Sequence, residues 1–166
     1  MKGIALCGFM GCGKTTVANT LSSKYNLRHI DTDKFIEETE KLSISKMFEL
    51  YGEEYFRDKE FESISKLSKS GECVLSLGGG AVMSERNVDV LKANGYAIVF
   101  IDTDLSVIKR RLRNDTTRPL LKTSNVDMLY AKRLAIYMSV ADVIITCTDE
   151  SSEQIADMII NELKKA

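Results

Sequence analysis

Residues Gly8-Phe9-Met10-Gly11-Cys12-Gly13-Lys14-Thr15 match the pattern G-x-x-x-x-G-K-S/T in full. That pattern describes a loop whose backbone N–H groups surround a phosphate, helped by the positive end of the helix that follows. The context agrees. The apolar run Gly3-Ile4-Ala5-Leu6-Cys7 reads as a buried strand, and Thr15-Thr16-Val17-Ala18-Asn19-Thr20-Leu21 as a helix start. In such a loop Lys14 reaches the β- and γ-phosphates of a nucleotide and the Thr15 hydroxyl faces Mg²⁺.

Other residues have the types needed for phosphoryl transfer. Asp31 and Asp33 stand two apart; in an extended segment they share a side. One carboxylate can then hold a metal ion while the other orients or deprotonates an attacking hydroxyl. Helix capping by Asp33 ahead of Lys34-Phe35-Ile36-Glu37 is the other reading of the pair. Gly78-Gly79-Gly80 follows the apolar run Cys73–Leu77. Glycines there let a ligand approach bare backbone and meet its N–H groups, while an ordinary turn is the alternative. Lys109, Arg110, Arg111, Arg113, Arg118 and Lys122 face a single acid, Asp115, in a segment that holds the chain's one proline, Pro119. A basic loop of this kind suits a lid that carries an arginine, Arg118, to the transferring group. Arg57 and Arg133 fall on predicted helices, and periodicity alone makes each a surface residue. His29 is the only histidine, so a histidine triad or metal cluster has little to build from. Cys7, Cys73 and Cys147 lie in or beside apolar runs as small hydrophobes. Cys12, inside the loop, is read as filler rather than as a reactive thiol.

The elements that must position these groups follow a regular alternation. Strand-like runs at Lys2–Cys7, Arg28–Asp31, Glu72–Leu77, Tyr96–Ile101 and Asp142–Thr146 are separated by helical patterns. This predicts an α/β domain with a parallel sheet covered on both faces. Ligands then gather at the carboxyl ends of the strands, where the loop, the aspartates and the glycines all stand. Ile44, Met47, Phe48 and Tyr51, and Ile155, Met158, Ile159 and Leu163, have the spacing of core-facing helix stripes. With 166 residues the chain is one domain. A net charge of −1 gives no global cause for nucleic-acid or membrane binding. No apolar run nears the roughly 18 residues of a spanning helix. Scattered cysteines without a CxxC pair point to a reducing, cytoplasmic setting.

Taken together, Gly8–Thr16, Asp31-Thr32-Asp33, Phe56-Arg57 with Glu60, Leu75–Gly80, Arg118-Pro119-Leu120-Leu121, and Arg133 with Tyr137 resemble the shikimate kinase family, from about residue 3 to about residue 146. The resemblance implies a five-stranded parallel sheet in the order 2-3-1-4-5, a substrate-binding subdomain at about 33–62 and a lid at about 112–124. It implies transfer of phosphate from ATP to the 3-hydroxyl of shikimate, in the route to aromatic amino acids. Gly11, Cys12, Gly13, Lys14, Thr15, Thr16, Arg111 and Arg118 would hold the nucleotide, with Arg111 where the family packs on adenine. Asp33 would contact the acceptor hydroxyls as base. Arg57 and Arg133 would clamp the shikimate carboxylate, and Gly78, Gly79 and Gly80 would line its ring. Thr15 and Asp31 would form the magnesium shell, with Ser76 nearby through water. The loop Cys147–Ser152, after the fifth strand, has no pattern that carries over. A small-molecule monomeric kinase is the expectation.

Two other readings have distinct signatures. A gluconate-like or nucleotide kinase should lack the Arg57, Gly78–Gly80 and Arg133 set, or show a second base pocket. A non-catalytic ATP-binding module should have lost part of the set Lys14, Asp31, Asp33 and Arg118.

Overall fold

The computed structural model describes residues 2–113 and 125–165. Five parallel strands, β1 (Gly3–Cys7), β2 (Arg28–Asp31), β3 (Cys73–Ser76), β4 (Tyr96–Thr103) and β5 (Val143–Cys147), form one sheet in the order β2-β3-β1-β4-β5. The inner strands β1 and β3 are buried at every residue, which is why they read as unbroken apolar runs. The edge strand β5 alternates, with Ile145 and Cys147 inward and Ile144 and Thr146 exposed.

Helices α1 (Lys14–Tyr25), α2 (Thr32–Glu40), α3 (Ile44–Leu67), α4 (Glu85–Ala93), α5 (Leu105–Leu112), α6 (Val126–Val140) and α7 (Ser152–Lys165) connect and cover the strands, and a 3₁₀ turn spans Ala81–Met83. Side chains set several starts. Asp31 caps α2, Ser43 caps α3, Asp104 caps α5 and Asn125 caps α6, each accepting from a backbone N–H in the first turn. The main core joins the inner strands to Val17, Ala18 and Leu21 of α1 and to Ile155, Ala156 and Ile159 of α7. A second, smaller cluster holds Ile36, Met47 and Phe56 between α2 and α3.

Three sequence expectations shift. β4 runs on to Thr103 because it keeps pairing with β5 as far as Cys147. Asp142 lies outside β5, yet its backbone N–H and its carboxylate both bond Ile98, at 2.8 Å each, so it imitates a strand residue. The stripe Ile44, Met47, Phe48, Tyr51 is only partly core. Met47 is buried, whereas Tyr51 is 55% exposed, because α3 breaks at the next residue, Gly52 (φ 83°, ψ 176°). That conformation is essentially reserved for glycine.

His29, on β2, is half-buried. Its Nδ1 is 2.8 Å from Asn19 Oδ1, and its Nε2 has no hydrogen-bond partner among the described residues. Burial pushes the imidazole below its ordinary value of 6.5, opposed by Asp31 and helped by Lys34. The folded form therefore takes up a proton less readily than the unfolded form. Its contribution to stability is complete above pH 6.5 and is lost as the pH falls below it. With a single histidine in the chain, the effect is isolated. The urea midpoint of the unaltered protein should fall relative to His29→Gln between pH 7.5 and 5.5; parallel curves would show an imidazole that protonates freely in the fold.

Candidate active site

The site begins where β1 ends. Gly8, Gly11 and Gly13 have φ of 145°, 81° and 99°, so the loop between β1 and α1 curls through conformations that side chains resist. Gly13 forms the start of α1 with no side-chain cap, which leaves the helix N–H groups open to an anion. Lys14 Nζ donates to the carbonyls of Gly8 (2.8 Å) and Phe9 (3.2 Å). Cys12 is 2% exposed, and its carbonyl accepts from Thr103 Oγ1 at 3.1 Å. Its side chain packs inward, as filler should.

Strand register brings the next groups alongside. Asp31 pairs with Ser76 across β2 and β3, and Ser76 with Leu6 across β3 and β1. Thr15 Oγ1 donates to Asp31 Oδ2 at 3.1 Å and lies 3.5 Å from Ser76 Oγ. Asp31 Oδ1 accepts from the N–H groups of Asp33 (3.1 Å) and Lys34 (3.3 Å). This corrects two expectations. The cap of α2 is Asp31, not Asp33, and the two aspartates do not share an extended segment, because the helix starts between them. Asp33 is turned instead toward the glycine triplet.

Gly78 and Gly80 make room for side chains, and Gly79 stands in ordinary contact with a third. A Cβ on Gly78 would stand 2.5 Å from Asp33 Oδ1, one on Gly79 3.5 Å from an Arg133 Nη, and one on Gly80 2.9 Å from an Arg57 Nη. Their carbonyls and the Gly78 N–H are engaged. Ala81 N–H donates to Gly78 (3.0 Å), Met83 N–H to Gly80 (3.1 Å) and the Tyr137 hydroxyl to Gly79. Thr32 Oγ1 accepts from Gly78 N–H at 3.2 Å and donates to Ser76 at 3.2 Å. Among the described residues, the N–H groups of Gly79 and Gly80 have no such partner.

Both arginines differ from the surface positions that periodicity suggests. Arg133 is 8% exposed and lies 5.9 Å from the centre of the Phe9 ring. Arg57 bridges Glu60 (3.0 Å) and Glu53 (3.1 Å). Glu60 is itself buried at 1% exposure; burial raises its carboxyl above the ordinary range, with Arg57 opposing.

These groups line one cleft of about 1180 Å³. One end is walled by the loop, Arg111, Leu112, Glu150, Ser151, Ser152 and Ile155, the other by Asp33, Arg57, Gly78–Gly80, Arg133, Ile44 and Phe48. An Arg111 Nη donates to the Gly11 carbonyl at 3.0 Å. Thus Lys14, Thr15, Thr16, Asp31, Asp33, Arg57, Arg111, Arg133 and the triplet all meet at one site. Arg118 and residues 114–124 of the expected lid lie outside the described residues. Sequence reasoning named the loop Cys147–Ser152 and the run Asp31-Thr32-Asp33 but gave no role to Glu150–Ser152 or to Thr32. The position of the first after a parallel strand was the available signal; Thr32 had none.

A divalent ion would suit part of this set. Thr15, Asp31 and Ser76 supply oxygen donors only, the hard ligands that Mg²⁺ takes while keeping waters and substrate phosphates. Among the described residues there is no cluster of three or more acidic, histidine or cysteine ligands. No helix among the described residues is long and apolar enough to cross a membrane.

A family model for shikimate kinase matches residues 10–164. A shikimate kinase from Sulfurihydrogenibium sp. is 37% identical, over 99% of each chain. One from Caldicellulosiruptor saccharolyticus is 40% identical, over 97% of this chain and 95% of its own. Among solved structures, shikimate kinase from Acinetobacter baumannii in complex with shikimate superposes with a TM-score of 0.91 at 30% identity, covering 99% of this chain and 94% of that one. The enzyme from Aquifex aeolicus gives 0.84 at 36% identity, over 98% and 96%. Sequence and fold together make this chain a member of the shikimate kinase family.

Proposed function

We propose that the protein transfers the γ-phosphoryl group of ATP to the 3-hydroxyl of shikimate, yielding shikimate 3-phosphate and ADP, in the synthesis of aromatic amino acids. The observation that carries this reading is the glycine triplet: a carboxylate and a guanidinium occupy the spaces that side chains at Gly78 and Gly80 would fill, and a second guanidinium, Arg133, stands in contact distance of Gly79. The two cations suit a carboxylate, which an arginine fork binds in a bidentate way. The one anion suits a hydroxyl that must lose a proton. A phosphate loop lines the same cleft.

The roles follow from the chemistry. Arg57 and Arg133 hold the acceptor carboxylate, and the N–H groups of Gly79 and Gly80 face its ring. Asp33 accepts the proton of the hydroxyl as the oxygen attacks the γ-phosphorus in line and ADP leaves. Lys14 and the loop N–H groups, with Gly11, Cys12, Gly13 and Thr16, bind the phosphates and stabilise the charge that spreads over the transferring group. Arg111 and Glu150–Ser152 flank the far end, which suits the base. Thr15 and Asp31 would hold Mg²⁺, with Ser76 through water, and the ion supplies charge neutralisation on the phosphates. Residues 33–62 are read as the acceptor subdomain of a single domain, which their separate apolar cluster supports. Residues 112–124, with Arg118, are read as a lid that excludes water. Four free, buried cysteines support a cytoplasmic setting, and the near-neutral net charge supports an enzyme acting on a small molecule without nucleic-acid or membrane partners; a monomer is what the family resemblance implies.

The test is ADP release from Mg-ATP with no acceptor, shikimate, quinate, gluconate or a nucleoside monophosphate. Release that depends on shikimate is expected; preference for another acceptor would overturn the substrate, and silence with all of them the kinase reading. Lys14→Met should lower kcat/KM at least ~100-fold, through loss of a charge on the reacting phosphates. Near-normal turnover would remove Lys14 from the reaction. Asp33→Asn should keep ATP affinity while kcat falls roughly 100- to 10,000-fold. Loss of ATP binding instead would put Asp33 in the metal shell. Arg133→Ala should raise KM for shikimate about 30-fold or more, with KM for ATP little changed. The reverse pattern would assign Arg133 to the nucleotide.

A further inference from the structure

The hydroxyl of Tyr137 has no packing task. The ring is fully buried and stacks on Phe100, with centroids 5.0 Å apart and planes 23° from parallel. A phenylalanine would make that contact equally well. A buried hydroxyl must be hydrogen-bonded or it destabilises the fold, so its presence calls for an account in terms of what it touches. It donates to the carbonyl of Gly79, the middle glycine of the triplet.

Tyr137 stands one helical turn beyond Arg133 on α6, which places both on one face. They are the two buried residues of that helix. A Cβ on Gly79 would be 3.5 Å from an Arg133 Nη, so the guanidinium lies beside the residue whose carbonyl Tyr137 holds. Burial pushes the phenol above its ordinary value, with the Arg133 charge opposing. Arg133 and the phenol thus both flank Gly79. Thr32 completes the support by accepting from the Gly78 N–H on the opposite side of the turn.

We infer that Tyr137 is a positioning residue: its hydroxyl anchors the Gly79 carbonyl to the face of α6 that carries Arg133, and so fixes the glycine turn relative to the carboxylate clamp. This rests on the reading of the acceptor as a carboxylate held by Arg133. The hydroxyl itself touches no reacting atom. Without it, the Gly79 carbonyl loses its partner, the peptide is free to rotate, and the Gly79 and Gly80 N–H groups and Arg133 lose their common frame.

Tyr137→Phe tests this. It keeps the stacked ring and removes one oxygen. KM for shikimate should rise roughly tenfold, as expected for an unpaired buried partner, with kcat and KM for ATP within about twofold. With shikimate methyl ester, which offers Arg133 no carboxylate, the penalty should shrink to about twofold or less. In the protein without substrate, amide hydrogen exchange across residues 78–83 should quicken. Equal penalties on acid and ester would overturn the link to Arg133. Unchanged exchange at the turn would overturn the link to Gly79. A variant that fails to fold, or that loses both KM values and kcat together, would overturn positioning in favour of a structural role. If the unaltered protein does not turn over shikimate, the functional reading fails, and the exchange measurement still decides whether Tyr137 holds the turn.

Discussion

The register of three parallel strands governs the site. Ser76 lies opposite Asp31 on one side and Leu6 on the other, so the exits of β1, β2 and β3 are level. From that row the chain can lead only into the phosphate loop, the start of α2 and the glycine turn. The Thr15–Asp31 and Thr15–Ser76 contacts are consequences of this alignment. A slip of one residue in β2 would reverse which face each of its side chains meets and take Asp31 away from both the hydroxyl and the cap it makes for α2.

Around that row, two cations have close partners. Arg57 is paired with Glu60 and Glu53, and Lys14 is bonded to carbonyls of its own loop. Removing a cation from water is costly, and the cost is offset only by close partners. The loop and the Arg57 end of the cleft therefore hold these cations in place without relying on a ligand to do so. Preorganisation of this kind lets binding energy act on the reacting groups rather than on assembling the site.

The phosphate loop and the alternation of strands and helices were legible because each depends on local residue types; the strand order came only with the family resemblance. The glycine triplet was legible as a special place but not for its reason. None of its members has a positive φ; Gly78 and Gly80 are needed for space, which is taken by Asp33 and Arg57 from distant parts of the chain. Arg133 was hidden by periodicity, since a buried cation interrupts the apolar pattern by which a core face is recognised. Asp33 kept capping as a second reading because either aspartate of the pair fits that role until the end of β2 is known. Asp142 was read as the first residue of the last strand; that it pairs from just outside β5, with its carboxylate standing in for a carbonyl, had no sequence signal.

The break at Gly52 divides α3 by task. Beyond it, Ile64 and Leu67 join the main core and Arg57 and Glu60 are fixed with them. Before it, Ile44 and Phe48 line the cleft while Met47 packs only into the small cluster. A straight helix of this length would extend about 36 Å as one rod, and any change at its tip would be transmitted along its whole axis to the sheet. The kink turns the first part back instead: Met47 and Phe48, before it, close on Phe56, which lies just beyond it and against the Arg57 guanidinium. A change of side chain in the first two turns is therefore felt at Phe56 and its neighbouring guanidinium first, so the width of that end of the cleft and the set of its cation shift together.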